Sequence, residues 1–183
     1  MCFEISPILY ILEVLLTIKS IKMKKFFLLL LFVAPTLMFS QKSAGKLSRT
    51  DKLTKTIESL ASDYETNSFV IYEKILSDNA VVYLNNTKTD GKTVKAGFRQ
   101  HHEIFNDIKI SNPYSHTNYF NDGEVWTNNW FTWTGTGNTT GIRYTNKAHF
   151  DFKWENGVVV ELQCYFDSKV LEMELAAAAA AGN

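Results

Sequence analysis

Apolar residues along this chain fall into two regimes that meet near Ser40. Residues 5–16 are almost wholly apolar, residues 26–39 more so, and a basic stretch from Lys19 to Lys25 lies between them. From residue 51 onward the apolar positions become periodic. Leu53, Ile57, Leu60, Ala61 and Tyr64 recur at helical spacing behind Thr50 or Asp51, either of which can cap the helix. Glu65-Thr66-Asn67-Ser68 breaks that pattern, and a second helix carries Phe69, Tyr72, Ile75 and Leu76 on one side. Asp78-Asn79 then turns the chain into a β-branched strand over 80–84. After a polar loop at 85–91, a third helix over 92–107 has Val94, Phe98, His101 or His102, and Phe105 as its apolar stripe.

Beyond residue 107 the period changes from helix to strand. Strands are expected at 109–120 (interrupted by Asn112-Pro113), 125–134, 142–154 and 158–166. Asn121-Asp122-Gly123 and Glu155-Asn156-Gly157 are hairpin turns, and residues 135–141 form a Gly/Thr/Asn loop. Ser168 is placed to cap a last helix running into alanines 176–181, a stretch with nothing to pack against and expected to fray. Three helices followed by a four-stranded meander give an α+β order in which helices cover one face of a bent sheet.

Strand alternation assigns faces. Phe150, Phe152 and Trp154 alternate with His149, Asp151 and Lys153, which turns the aromatic set toward the core. On the last strand Val160, Leu162, Cys164 and Phe166 are the apolar set against Glu161, Gln163 and Tyr165. A one-residue slip would bring His149 and Asp151 inward as an acid/base pair. Lys153 beside them supports the outward assignment, because an unpaired lysine in an apolar pocket is costly. Trp126 and Trp130 share one face of their strand and Trp133 takes the other, so that strand is expected to be covered on both sides, by core and by a partner subunit.

The first regime reads as targeting rather than structure. From Met23, two lysines, an apolar run and Met38-Phe39-Ser40 before Gln41 have the three parts of a secretory signal. A run of 14 residues is short of the roughly 20 that span a bilayer. Residues 1–22 read as an over-extended start, 23–40 as the signal peptide and 41–50 as a flexible lead-in. The expected product is exported, periplasmic or extracellular, with no stable membrane anchor.

Charge and cysteine content depend on that division. The whole chain carries 19 basic and 19 acidic residues; removing residues 1–40 leaves 15 and 17. That slightly acidic balance, with no Lys or Arg between Ser111 and Gly141, argues against nucleic acid. Only Cys164 remains of two cysteines, so no internal disulfide forms. The four histidines, His101, His102, His116 and His149, show no i, i+4 pair, and neither a metal nor a cofactor is expected.

Three strings, in their order, resemble the nuclear transport factor 2-like superfamily in its SnoaL-like branch. They are Gly91-Lys92-Thr93-Val94 at the third helix start, Trp133-Thr134-Gly135-Thr136-Gly137 at a strand end, and the closing hairpin from Phe150 through Glu161 to Tyr165-Phe166-Asp167. The resemblance covers about residues 51–175, leaving 176–183 as an alanine-rich tail. It implies a cone-shaped, strongly curved, mostly antiparallel sheet packed on three N-terminal helices around an apolar pocket. Members include isomerases, dehydratases and cyclases as well as proteins that only bind. The resemblance puts the acids of the enzymes near Phe150, Leu162 and Cys164, and a base at Leu84 or Asn85; none of these is a carboxylate. The expected function is therefore a non-catalytic pocket for a small apolar or amphipathic molecule, in a homodimer joined through the sheet face. Its walls are Phe98, Phe105, Phe150, Phe152, Leu162 and Phe166, with Tyr64, His101, Tyr114 and His116 orienting the ligand, and Tyr72 and Asn118 as further polar candidates. The alternatives are an acid/base enzyme using His116, or His149 with Asp151, and a protein-interaction module using the exposed sheet face.

Overall fold

The computed structural model describes residues 43–182 and, before them, Lys19 alone. The chain divides between Ser43 and Ala44 into two compact units. The over-extended start at 1–22 and the signal peptide at 23–40 lie outside the described residues, and the fold is that of the second unit. Its elements are β1 (Gly45–Ser48), α1 (Lys52–Glu65), α2 (Val70–Ile75), β2 (Leu76–Leu84), β3 (Thr87–Asp90), α3 (Gly91–Ile104), β4 (Phe105–Phe120), β5 (Val125–Gly137), β6 (Arg143–Glu155), β7 (Val158–Tyr165) and α4 (Lys169–Ala180). The strands form one curved, open sheet in the order β1-β4-β5-β6-β7-β2-β3. Every pairing is antiparallel except β2 with β7.

Local chemistry explains most of the boundaries. Asp51 caps α1, its Oδ1 accepting from the amides of Leu53 and Thr54 at 2.9 and 3.0 Å. Thr54, Ile57, Leu60 and Tyr64 form the buried stripe. The short α2 has no cap of its own: Asp63 Oδ2, from α1, accepts from Ile71 N and Tyr72 N at 2.9 and 3.1 Å. This borrowed cap fixes Tyr72 relative to Tyr64. Lys95, 4% exposed, holds α3 against α2 and β2 through Glu73 (2.7 Å) and Asp78 (2.6 Å). Asn156 and Gly157, both at positive φ, make the β6–β7 turn.

Four expectations need correction. Residues 45–48 are an edge strand rather than part of a flexible lead-in, because they pair with the overhanging end of β4, Gly45 opposite Phe120. The loop at 85–91 contains β3: Asn85, at φ 51, allows a tight turn that returns Thr87–Asp90 along β2. Helix α3 stops at Ile104, and Phe105 already belongs to β4, whose register slips at Asp107 and again at Asn112-Pro113. A register shift between Lys153 and Trp154 pairs Trp154 with Val159, so Val159 rather than Val160 is fully buried.

The C-terminal helix also has a partner. Glu174 is 1% exposed. Its Oε1 accepts from Thr139 N (2.5 Å) and Thr140 N (3.0 Å), and its Oε2 from Thr140 Oγ1 (2.7 Å) and Tyr144 Oη (3.3 Å). Gly137 makes room, since a Cβ there would stand 2.1 Å from the carboxylate. Burial works against the charge, but hydrogen bonds from Thr140 and the Thr139 amide outweigh it and hold the carboxyl below its ordinary 4.5. The stabilisation is therefore complete above pH 4.5 and fades as pH falls through the lower folded-state value. Glu174→Ala is expected to cost about 2 kcal/mol in urea unfolding at pH 7. An unchanged midpoint would mean that α4 docks through Val170 and Leu171 alone.

Candidate functional site

Between the helices and the inner sheet face lies a cavity of ≈ 100 Å³. α1 contributes Ile57, Leu60 and Tyr64 to its wall, α2 Tyr72, and α3 Phe98 and His101. Inward positions of β4, β5 and β6 add Phe105, Phe131, Trp133, Ala148 and Phe150, while Phe166 just after β7 and Val170 and Leu171 at the start of α4 close it. Phe98 and Phe150 stack with centroids 6.0 Å apart, and Phe131 meets Phe150 edge-on at 5.1 Å. These ring contacts make most of the wall stiff and apolar.

Inside that wall three side chains from α1, α3 and β5 converge. Trp133 Nε1 donates to Tyr64 Oη at 3.2 Å, and Tyr64 Oη lies 2.9 Å from His101 Nδ1. Burial pushes the His101 pKa down from 6.5 to about 4, with the neighbouring His102 adding to the shift. Burial likewise raises the Tyr64 phenol, against the Trp133 hydrogen bond that lowers it. Tyr72 is raised well above its ordinary value, again chiefly by burial. Both phenols and the imidazole are therefore uncharged at neutral pH. Glu58 and Asp167 are the carboxylates of the wall, on its more exposed side; Glu58 is paired with Lys55 at 2.7 Å.

Of the residues singled out from the sequence, Tyr64, Phe98, His101, Phe105, Phe150 and Phe166 line the cavity. Phe152 and Leu162 face the same way but are packed into the core beyond it, at 2% and 0% exposure. Tyr114 and His116 do not belong to the cavity. On β4 it is Ser115 and Thr117 that point inward, both fully buried, which leaves Tyr114, His116 and Asn118 on the opposite face. Trp133, Phe131 and Asn129 were not anticipated as wall residues, although their parity opposite Trp130 was legible.

The outer sheet face carries its own aromatic row. Tyr114 meets Trp130 at 5.7 Å, His116 and His149 stack on either side of Trp130 at 5.4 and 4.2 Å, and Tyr165 lies 5.9 Å from His149. His149 Nε2 is 2.8 Å from Asp151 Oδ1, near enough for an ion pair when protonated, although the approach is out of line for a hydrogen bond. Asp151 also receives the Asn128 amide. Burial lowers the His116 pKa, and the nearby Arg49 acts in the same direction. As strand alternation predicts, His149 and Asp151 are outside and Phe150, Phe152 and Trp154 inside.

No protein-family model matches the sequence, and no curated protein matches it. Solved structures do resemble the domain. A candidate polyketide cyclase from a Silicibacter species superposes with a TM-score of 0.52 at 14% identity, over 67% of this chain and 93% of that one. A nuclear transport factor 2-like protein from Anabaena variabilis gives 0.50 at 17% identity, over 63% and 87%. A candidate isomerase from Bacillus subtilis gives 0.51 at 13%, over 67% and 91%. The domain has the nuclear transport factor 2-like fold. Where the resemblance places the acids in enzymes of that fold, this chain has Phe150 in the cavity wall, and Leu162 and Cys164 fully buried. Burial raises the Cys164 thiol well above its ordinary value, which removes it as a nucleophile. Asn85 is occupied structurally: its side chain donates to Phe166 O at 2.9 Å and accepts from Phe166 N at 3.1 Å.

Proposed function

We propose that this domain holds a small apolar or amphipathic molecule in the cavity and performs no acid/base chemistry on it. The observation that carries this reading is the burial of the Tyr64–His101 pair in a wall of apolar rings, which keeps both groups neutral. An imidazole with a pKa of about 4 is a weak base at neutral pH, and a phenol raised by burial is a weak acid, so neither is matched to proton transfer. His116, and His149 with Asp151, lie on the outer face and cannot reach a molecule in the cavity. The volume of ≈ 100 Å³ limits the enclosed part of a ligand to at most one ring, since an engineered cavity of about 150 Å³ takes up benzene.

Thermal unfolding in the presence of small cyclic ketones, phenols and hydrocarbons tests this reading. A ligand at 100 times its Kd should add roughly 2.7 kcal/mol to the stability of the wild-type domain. Ala148→Phe, which fills the cavity from β6, is expected to abolish that increment while leaving the fold intact. Absence of any increment in the wild type, or its persistence in Ala148→Phe, defeats the reading.

We further propose that a second copy of the chain covers the outer face. Tyr114, Trp130 and Tyr165 are 43%, 38% and 45% exposed there, and such a contiguous aromatic row is unusual on a monomer. Trp130→Glu is expected to shift sedimentation from dimer to monomer without lowering ligand binding. A wild-type protein that sediments as a monomer at all concentrations overturns this proposal.

A further inference from the structure

The cavity offers hydrogen-bond donors to a ligand and, among the described residues, no cation, and we infer from this that it selects neutral carbonyl compounds (ketones, esters or lactones) over carboxylates and hydrocarbons. The inference rests on the binding reading and specifies its ligand. Trp133 Nε1 is a donor and nothing else, so the Tyr64 oxygen accepts from it. Directing the Tyr64 proton to its other neighbour, His101 Nδ1 at 2.9 Å, gives the phenol one donor and one acceptor partner. A neutral imidazole that accepts at Nδ1 carries its hydrogen on Nε2. With that direction His101 is left an N–H donor at Nε2.

The remaining polar wall residues point to the same chemistry. Asn129 Oδ1 is engaged by Ser115 Oγ at 3.0 Å. Asn146 is committed at both ends to the backbone of Asp167, donating at 2.7 Å and accepting at 3.3 Å. The acceptor oxygens of both asparagines are thus engaged, whereas the His101 imidazole, the Asn129 amide and the protonated Tyr72 phenol retain donor capacity. A ligand oxygen that only accepts satisfies such donors. A carboxylate would meet Glu58 and Asp167 on its way in, and among the described residues no lysine or arginine lines the cavity to receive it. The apolar rings take the rest of the molecule.

The test uses the isosteric pair cyclohexanone and methylenecyclohexane, with cyclohexanecarboxylate as the charged control. Affinities are read by titration in the wild type, in His101→Phe and in Tyr64→Phe, which releases the tautomer. The ketone-to-alkene affinity ratio is expected to fall about tenfold in His101→Phe, the worth of one neutral hydrogen bond. A smaller fall is expected in Tyr64→Phe, and weaker binding of the carboxylate than the ketone throughout. Nitrogen-15 spectra of the wild-type imidazole should show His101 protonated on Nε2. A ratio unchanged in both variants, preferred binding of the carboxylate, or a proton on Nδ1 overturns the ligand class while leaving the binding reading in place. If none of the three compounds binds, the binding reading falls and this inference with it.

Discussion

Acidification from pH 6.5 toward pH 4 is expected to destabilise the wild-type domain by about 2–3 kcal/mol through His101. The folded-state pKa is lowered, from 6.5 to about 4, so between these values the unfolded chain binds a proton that the folded one refuses. Stability therefore falls as pH drops below 6.5 and stops falling through this group once the folded imidazole also titrates. At about 1.4 kcal/mol per pH unit the full effect is about 3.4 kcal/mol; it is reduced here because part of the ring faces the cavity, where water can enter. Lowered carboxyls such as Asp51, Glu73 and Glu174 have unfolded values of 3.8 to 4.5, so their losses come mainly below this window. His102 and His116 are also lowered and contribute inside it. Urea unfolding of the wild type and His101→Phe at closely spaced pH values separates them. The variant should lose about one proton's worth of slope between pH 4.5 and 6. Parallel curves would show that His101 is not held neutral, and would remove the support for both the binding reading and its ligand class.

How far the sequence disclosed this site depended on whether polarity and burial agree. They agree on β6, where Phe150, Phe152 and Trp154 alternate with three charged or titratable residues, and that face assignment needed nothing else. They disagree on β4. Ser115 and Thr117 look like surface residues and Tyr114 and His116 like pocket residues, yet the positions are reversed. Backbone at positive φ at Asp107 and Asn112 shifts the strand twice before residue 114, so parity counted from the helix end is lost. The inward hydroxyls are stable only because partners from α1 and β5 satisfy them, and such partners are remote in sequence. Glu174 was hidden for the same reason: an acidic residue ahead of an alanine run has no visible use until Thr139 and Thr140 are folded beneath it. The cluster of Trp133, Tyr64 and His101 joins residues up to 69 positions apart, and only the His101 and Tyr64 members carried a signal in the spacing of their own helices.

Thr127→Val is expected to cost about 2–3 kcal/mol, more than its lost volume would suggest. Trp154 Nε1 donates to Thr127 Oγ1 at 2.9 Å, Thr127 and Thr117 hydroxyls are 2.8 Å apart, and so are those of Thr117 and Thr54. Thr54 Oγ1 in turn donates to Asp51 Oδ2 at 2.9 Å. All three threonines are fully buried. The chain begins at an indole that only donates and ends at a carboxylate that only accepts, so every hydroxyl between them donates in one direction, from β6 through β5 and β4 to the cap of α1. Valine at 127 breaks it in the middle, leaving the Trp154 N–H with no acceptor and Thr117 with no donor to its oxygen. Unsatisfied buried groups cost about 1–3 kcal/mol each, whereas replacing all partners by apolar groups of the same shape is nearly neutral. Combining Thr54→Val, Thr117→Val and Thr127→Val with Trp154→Phe should therefore be less destabilising than the sum of the single changes, by several kcal/mol, in equilibrium unfolding. Additive costs would mean that the four groups act separately and that α1 is held to the sheet by its apolar stripe rather than by this directional chain.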